Sequence, residues 1–304
     1  SLGMSQSPDQ PANGLPFALG AYLIWGAMPL YIKLLSGISA FEVLAHRILW
    51  SVPVALICLV LLRQVADYRA VLGRPRALAT MLVSSALISV NWTVYMWAIM
   101  HDQVLATSLG YYLNPLVNVL LGRLFLGERL NRWQGVAVAL AGLGVGILLI
   151  AEPGSIWISL SLAFSFGLYG LVRKMAPVSA VTGLAVEVSL LAPLAGLALM
   201  LGLATDKGFG STPFTSLLLI GSGVITAVPL IFFATAARRM SYTALGFVQY
   251  LSPTIVFFLS VFLWKEPFPV EKLVCFACIW TAIAVFSADA LRRARQARPD
   301  PALA

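Results

Sequence analysis

The sequence predicts an all-α membrane protein in which ten transmembrane helices form two inverted five-helix repeats. Three observations carry that expectation. First, 60% of the 304 residues are hydrophobic and only 11% charged, with a mean hydropathy of +0.90. A soluble chain of this length would need more polar residues to cover its surface. Second, the apolar residues gather in ten long runs, each near the 20 or so residues that cross roughly 30 Å of hydrocarbon. Third, a phrase recurs: TSLGYYLNP at Thr107–Pro115 returns as TALGFVQYLSP at Thr243–Pro253.

The ten runs cover approximately 17–35, 41–62, 77–100, 104–125, 132–151, 155–173, 178–203, 213–236, 243–264 and 270–290. The longer ones are expected to tilt. Short connections leave no room between them for a soluble domain. The expected organisation is a short cytoplasmic lead (1–16), a first repeat (17–151), a second, inverted repeat (152–290) and a basic cytoplasmic tail (291–304). Ser1–Gly3, ahead of Met4, read as an added remnant, and Ser5–Pro16 lack a signal-peptide cleavage pattern.

Basic residues set the expected orientation, because Lys and Arg are retained on the cytoplasmic side. With the N-terminus inside, fifteen of them fall on the cytoplasmic face, among them Arg63, Arg123, Arg173, Lys174, Arg238 and Arg298. Only Lys33, Lys207, Lys265 and Lys272 fall outside, and the twentieth, Arg47, lies within a span. Both ends are therefore expected in the cytoplasm of a bacterial inner membrane. The net charge of +8 then reads as a topology signal near anionic lipid rather than a nucleic-acid surface.

The repeat extends beyond one phrase. Pro115 precedes Glu128 of LGERL by thirteen residues, and Pro253 precedes Glu266 of WKEPF by the same thirteen. Trp25-Gly26 corresponds to Phe166-Gly167, and Pro53 to Pro193. Five is odd, so the second copy enters the membrane upside down. Inverted repeats of this kind build secondary transporters that hold substrate at the midplane between the halves.

Other classes find little support. There is no His-Glu-x-x-His, no Gly-x-Ser-x-Gly and no GxxxxGK[ST] phosphate loop, so neither an enzyme, an ATP-driven pump nor a bound cofactor is indicated. His101 stands beside Asp102 in an outer turn. Cys275-x-x-Cys278 has no second pair and reads as packing rather than a metal site. A channel would need a ring of like groups, which one chain with this asymmetric polar set does not supply.

At this point the chain resembles the drug/metabolite transporter superfamily, EamA branch. It is similar to RarD-type permeases, with likeness also to YddG-type amino-acid exporters. The residues carrying the likeness are AYLIWG (21–26), His46-Arg47, Asn91-Trp92 and SLGYYLNPL (108–116). They continue with GERL (127–130), AFSFGLYGLVRK (163–174), TGLAVE (182–187), VPLIFFATAARR (228–239) and LGFVQYLSPT (245–254). The resemblance implies a ten-helix carrier that exports small organic solutes, with no cofactor.

Candidate substrate-binding residues follow from the cost of polar groups in hydrocarbon. Ionisable side chains there mark function by default, and three qualify: His46, Arg47 and Glu187. Glu187 could hold the ammonium of an amino acid or carry a proton. Arg47 could reach outward to lipid phosphate or pair with Glu187. Trp25, Trp92, Tyr95, Tyr111, Tyr112, Tyr169 and Tyr250 lie at helix depth rather than in the interfacial belts, and would line a cavity or simply fill space. Asn91, Asn114 and Gln249 complete the set. Pro115 and Pro253, with Gly110 and Gly246 upstream, would form paired kinks at substrate depth. Gly142, Gly144 and Gly146 offer a Gly-x-x-x-Gly packing face, read as scaffold in a monomer, with a dimer contact as the alternative.

Overall fold

The computed structural model describes residues 14–296 apart from 102, 152, 155 and 266. The expectations placed on the lead before Gly14, on Asp102, Glu266 and Arg298 and on the end of the tail therefore lie outside the described residues. Each expected span coincides with helix. In chain order these are α1 (Leu15–Lys33), α2 (Ala40–Leu61), α4 (Pro75–Met100), α5 (Val104–Phe125), α6 (Arg132–Ala151) and α7 (Ile156–Met175). They continue with α8 (Ala180–Ala198), α9 (Pro213–Arg239), the pair α10 (Tyr242–Gln249) and α11 (Leu251–Phe258), and α12 (Val270–Gln296). Wider π-type turns extend α8 through Leu199–Leu203 and α11 through Leu259–Leu263. Among the described residues nine helical segments are long and apolar enough to cross a membrane. The remaining span, α5, is 22 residues long and carries Asn114, Asn118 and Arg123.

Helices dominate because the hydrocarbon offers backbone groups no outside partner. Their ends are closed by side chains. Ser39 caps α2 by accepting from the Glu42 amide at 3.2 Å, and Ser179 caps α8 by accepting from the Thr182 amide at 3.3 Å. These serines lie 140 residues apart, as do Pro53 and Pro193 within the same helices. The repeat read from the sequence is thus also a repeat of local construction.

One element was not foreseen. Helix α3 (Val65–Gly73) occupies the stretch read as a basic connection. It is too short to span, but it buries Val71 against Met81, Ala176, Val178 and Val186. The Gln64 side chain at its N-cap accepts from Ser179 Oγ at 2.7 Å and Thr182 Oγ1 at 3.1 Å. An amphipathic nine-residue helix offers too little periodicity to stand out beside ten long apolar runs.

The two largest packing centres of the bundle lie on either side of α5. One core joins α1, α2, α7, α8 and α9, with Tyr22, Leu59, Tyr169 and Phe233 fully buried. A second joins α5, α10 and α11 to the paired helices α6 and α12, through Tyr112, Leu148, Tyr250 and Phe276. At one end of the bundle, which bears most of the arginines, loops and helix ends are locked by charged side chains. Glu128 accepts from the Tyr242 and Thr243 amides at 2.6 and 3.0 Å, closing the N-terminus of α10. Lys174 of α7 donates to the carbonyls of Ala237 and Met240 at 2.7 Å each, closing the C-terminus of α9. Arg238 of α9 returns the contact to Ala176 and Val178 beyond α7. At the opposite end Glu42 accepts from the amide and hydroxyl of Thr205 at 3.2 and 2.8 Å, and Lys33 stands 3.6 Å over the Trp264 ring.

The α6–α12 contact corrects one expectation. Gly142 and Gly146 face open space, so their Gly-x-x-x-Gly spacing is not the packing face. Gly144 is: a Cβ there would stand 2.8 Å from Cys278 Cβ and 2.9 Å from the Cys275 carbonyl. The two cysteines therefore serve as small residues beneath a glycine. Gly144→Leu is expected to separate α6 from α12 and destabilise the protein by about 1–3 kcal/mol. Gly142→Leu should leave stability unchanged. Thermal melting of the two variants in detergent checks the contrast.

Candidate functional site

Four helices converge on Arg47. It sits on the eighth position after the Ser39 cap, one turn above Ser51, and is 8% exposed. It therefore does not reach out to lipid. Its Nε donates to Thr226 Oγ1 of α9 at 2.8 Å. Tyr95 of α4 and Tyr111 of α5 lie within electrostatic reach of the guanidinium. Their rings meet edge to face at 6.2 Å with the hydroxyls adjacent. Tyr111 is 48% exposed although its hydroxyl stands beside a buried arginine.

Glu187 occupies the corresponding place in α8, eight residues after the Ser179 cap. It does not pair with Arg47. Its Oε1 lies 3.1 Å from Nε of Arg173, which is 1% exposed in the last turn of α7. Arg173 also donates to the Ala180 carbonyl at 2.8 Å, and the Tyr169 hydroxyl adjoins the pair. Gly183 makes this arrangement possible, since a Cβ there would lie 1.6 Å from Arg173 Nη1. Arg173, read from the sequence as one of the cytoplasmic-face charges, also pairs with Glu187. It is an intramembrane partner, and no sequence signal separates it from its neighbour Lys174 except Glu187 itself.

A further set of buried polar side chains has unfilled hydrogen-bonding capacity. Asn114 donates to the Ala163 carbonyl at 3.2 Å, while its Oδ1 has no partner. Asn118, one turn on and fully buried, has partners for neither amide atom. Gln249 Oε1 and the Tyr22 hydroxyl are likewise unpartnered. Asn118 sits where α5 crosses α10: a Cβ on Gly246 would meet it at 3.2 Å and the Pro115 carbonyl at 2.9 Å. Asn118 and Tyr22 escaped the sequence reading. The i, i+4 spacing of Asn114 and Asn118 was the available signal.

The other expected residues divide. Trp25 and Tyr169 join Phe166 and Phe233 in one aromatic cluster, with Trp25 5.7 Å from Phe166 and 5.8 Å from Phe233. Tyr22 extends it, 5.7 Å from Trp25. His46 turns away from Arg47. It stacks on Phe209 of the α8–α9 connection at 5.7 Å and accepts from Trp50 at 3.3 Å. Asn91 clamps α4 to α7 by donating to the Leu162 carbonyl at 3.0 Å and Ser165 Oγ at 3.1 Å. Trp92 packs on the larger core. Tyr112 and Tyr250 face the α12 side, Tyr112 against Phe276 at 5.4 Å.

The paired kinks are unequal. Helix α5 runs unbroken through Pro115, whereas the second copy breaks at Tyr250 between α10 and α11, three residues before Pro253. Gly110 packs against Leu162 of α7, with its Cβ position 3.0 Å away, and makes no counterpart to the Gly246–Pro115 approach. The Tyr250 hydroxyl donates to the Tyr112 carbonyl at 3.2 Å, next to the carbonyl that Pro115 deprives of a helical donor. A separate hollow of about 550 Å³ between α2 and α9 is lined by Trp50, Pro53, Ile57, Leu217 and Val224. Its lining is apolar apart from Tyr31 and includes none of Arg47, Glu187 and Asn118.

A bundle of long apolar helices that encloses charged and amide side chains is the build of a multi-span membrane protein. The chain belongs to the EamA-like transporter family, among its RarD-type members: the family pattern matches residues 12–150. It is 40% identical over 289 residues to "Protein RarD" of Escherichia coli (strain K12), covering 94% of this chain and 98% of that one. An "Uncharacterized transporter" of Vibrio cholerae is 41% identical over 299 residues, with 97% and 99% covered. The "Chloramphenicol-sensitive protein RarD" of Pseudomonas aeruginosa is 32% identical over 288 residues, with 93% and 96% covered. A crystal structure superposes with a TM-score of 0.72 over 91% of this chain and 98% of that one, at 18% identity, which speaks to the fold alone.

Breaking a buried ion pair from one side leaves an uncompensated charge, at a cost of about 3–5 kcal/mol. Arg173→Met or Glu187→Leu alone is therefore expected to reduce the yield of monodisperse protein sharply. The double variant should recover most of it. Fluorescence-detected size exclusion of the three variants measures this directly.

Proposed function

We propose that this protein is a secondary-active carrier that exports small organic metabolites, amino acids with aromatic or apolar side chains among them. Transport would proceed by alternating access around a midplane cavity between two inverted repeats, 17–151 and 152–290. The chain would lie in a bacterial inner membrane with both termini cytoplasmic, and would work as a monomer. The observation that supports this reading is the group of unpartnered polar atoms on Asn114, Asn118, Gln249 and Tyr22. Each unsatisfied buried group costs about 1–3 kcal/mol, and nothing in a purely structural bundle would compensate four such residues. A polar solute or water entering among them would. The neighbouring rings of Trp25, Phe166 and Phe233 supply a wall for an apolar side chain.

The ends of the bundle suit alternating closure. The Glu128, Lys174 and Arg238 contacts close one end, and the Glu42–Thr205 contact closes the other. The break at Tyr250 and the Gly246–Pro115 approach lie between them, where a helix must bend for one set to open. A second reading, export of drugs or toxic compounds, takes its support from the likeness to the chloramphenicol-sensitive RarD protein of Pseudomonas aeruginosa.

The deciding experiment loads proteoliposomes with a panel of labelled amino acids and follows efflux with and without a proton gradient. The expected outcome is efflux of at least one apolar or aromatic amino acid. A rate that rises with the gradient would establish proton coupling. No amino-acid efflux, alongside movement of a hydrophobic cation, would replace this reading with the drug-export one.

A further inference from the structure

We propose that Arg47 anchors a carboxylate of the transported solute, so that the cargo class is small molecules bearing a carboxylate. This rests on the transporter reading above and specifies what that site recognises.

The argument begins with a comparison of the two halves. Arg47 and Glu187 stand at the same distance from serine caps of corresponding helices. Glu187 has its counter-charge within the protein, because Arg173 lies 3.1 Å away. Arg47 has none: among the described residues no carboxylate lies within 4 Å of it. The other carboxylates of the described helices and their connections nearest the bundle interior are already engaged. Glu42 holds Thr205, Glu128 holds the start of α10, and Asp289 holds Arg293 and Asn131. An isolated cation among transmembrane helices is costly and persists where it faces water or a ligand.

The local geometry suits an anion. Nε of Arg47 is occupied by Thr226, which fixes the plane of the guanidinium. No hydrogen bond from its Nη atoms is made to a described residue, so the planar fork that matches a carboxylate edge remains available. The Tyr95 and Tyr111 hydroxyls lie beside it, and Tyr111 is half exposed. These groups come from α2, α4, α5 and α9, so the anion would bind across the two halves rather than within one. With Glu187 neutralised by Arg173, the ammonium of an amino acid finds no free described carboxylate within the spans. The anion is therefore the recognised group, and acids without an ammonium should also bind.

The test uses full-length protein in detergent and a matched trio: phenylalanine, 3-phenylpropionate and phenylalaninamide. Benzoate, lactate, succinate and glutamate widen the carboxylate panel. Calorimetric titration should detect at least one carboxylate at millimolar concentration, with its matched amide weaker by roughly tenfold or more. Arg47→Met should weaken that carboxylate by a similar factor, and Arg47→Lys by less, because it keeps the charge but loses the fork. Should Arg47→Met fail to fold, Tyr111→Phe and Arg47→Lys carry the comparison, with weakened carboxylate binding still expected.

The proposal is overturned if the amide binds as well as the acid, if the variants bind like wild type, or if no carboxylate in the panel binds. The two readings also separate. Amino-acid efflux at the wild-type rate by Arg47→Met proteoliposomes would sink the anchor and leave export standing. Binding of 3-phenylpropionate that depends on Arg47, without efflux of any amino acid, would do the reverse.

Discussion

A charge inside hydrocarbon is costly unless it is paired or hydrated, and much of this bundle is arranged around that requirement at Arg173. The guanidinium is 1% exposed between α7 and α8. Glu187 neutralises it, the Ala180 carbonyl takes a donor, and Gly183 leaves the volume it fills. Water competes poorly at such a site, so the attraction between the two charges is large and the cost of separating them larger. The same requirement recurs in weaker form where Lys174 and Arg238 close helix ends. These contacts hold α7, α8 and α9 as one body against which α5 and α10 cross.

The internal repeat is a repeat of scaffold, and its chemistry has diverged. Serine caps, prolines within the helix and terminal lysines recur at matching positions. The charges within them do not. Where the second half holds a neutralised arginine–glutamate pair, the first holds Arg47 with a threonine and two tyrosines. Where the first half keeps α5 continuous through Pro115, the second breaks at Tyr250. The unpartnered amide of Asn118 on α5 lies where α5 crosses α10, between the two halves.

Much of the fold was legible because bilayer thickness leaves so plain a mark. Ten apolar runs of span length coincide with helices. The amphipathic α3 was not legible, since nine residues with one buried valine carry almost no period. At the candidate site the residue types were easier to read than their directions. Tyr111 and Tyr112 are neighbours in sequence, yet one faces Arg47 and the other faces Phe276. His46 and Arg47 diverge in the same way, because successive helical residues point about 100° apart and only neighbouring helices say which direction is inside.

The sequence by itself determined that this is a multi-span helical protein of the EamA type, and which residues could carry function within it. Length, hydropathy and repeated motifs are properties of the chain, and the bilayer converts them into helices with little help from packing. Only the tertiary structure decided the pairings: Glu187 with Arg173 rather than Arg47, Gly144 rather than Gly142 beneath the cysteines, and Asn118 at the α5–α10 crossing. Those depend on how helices far apart in sequence rotate and approach. That rotation is chosen by the sum of many side-chain contacts, and no single stretch of TSLGYYLNP or TGLAVE contains it.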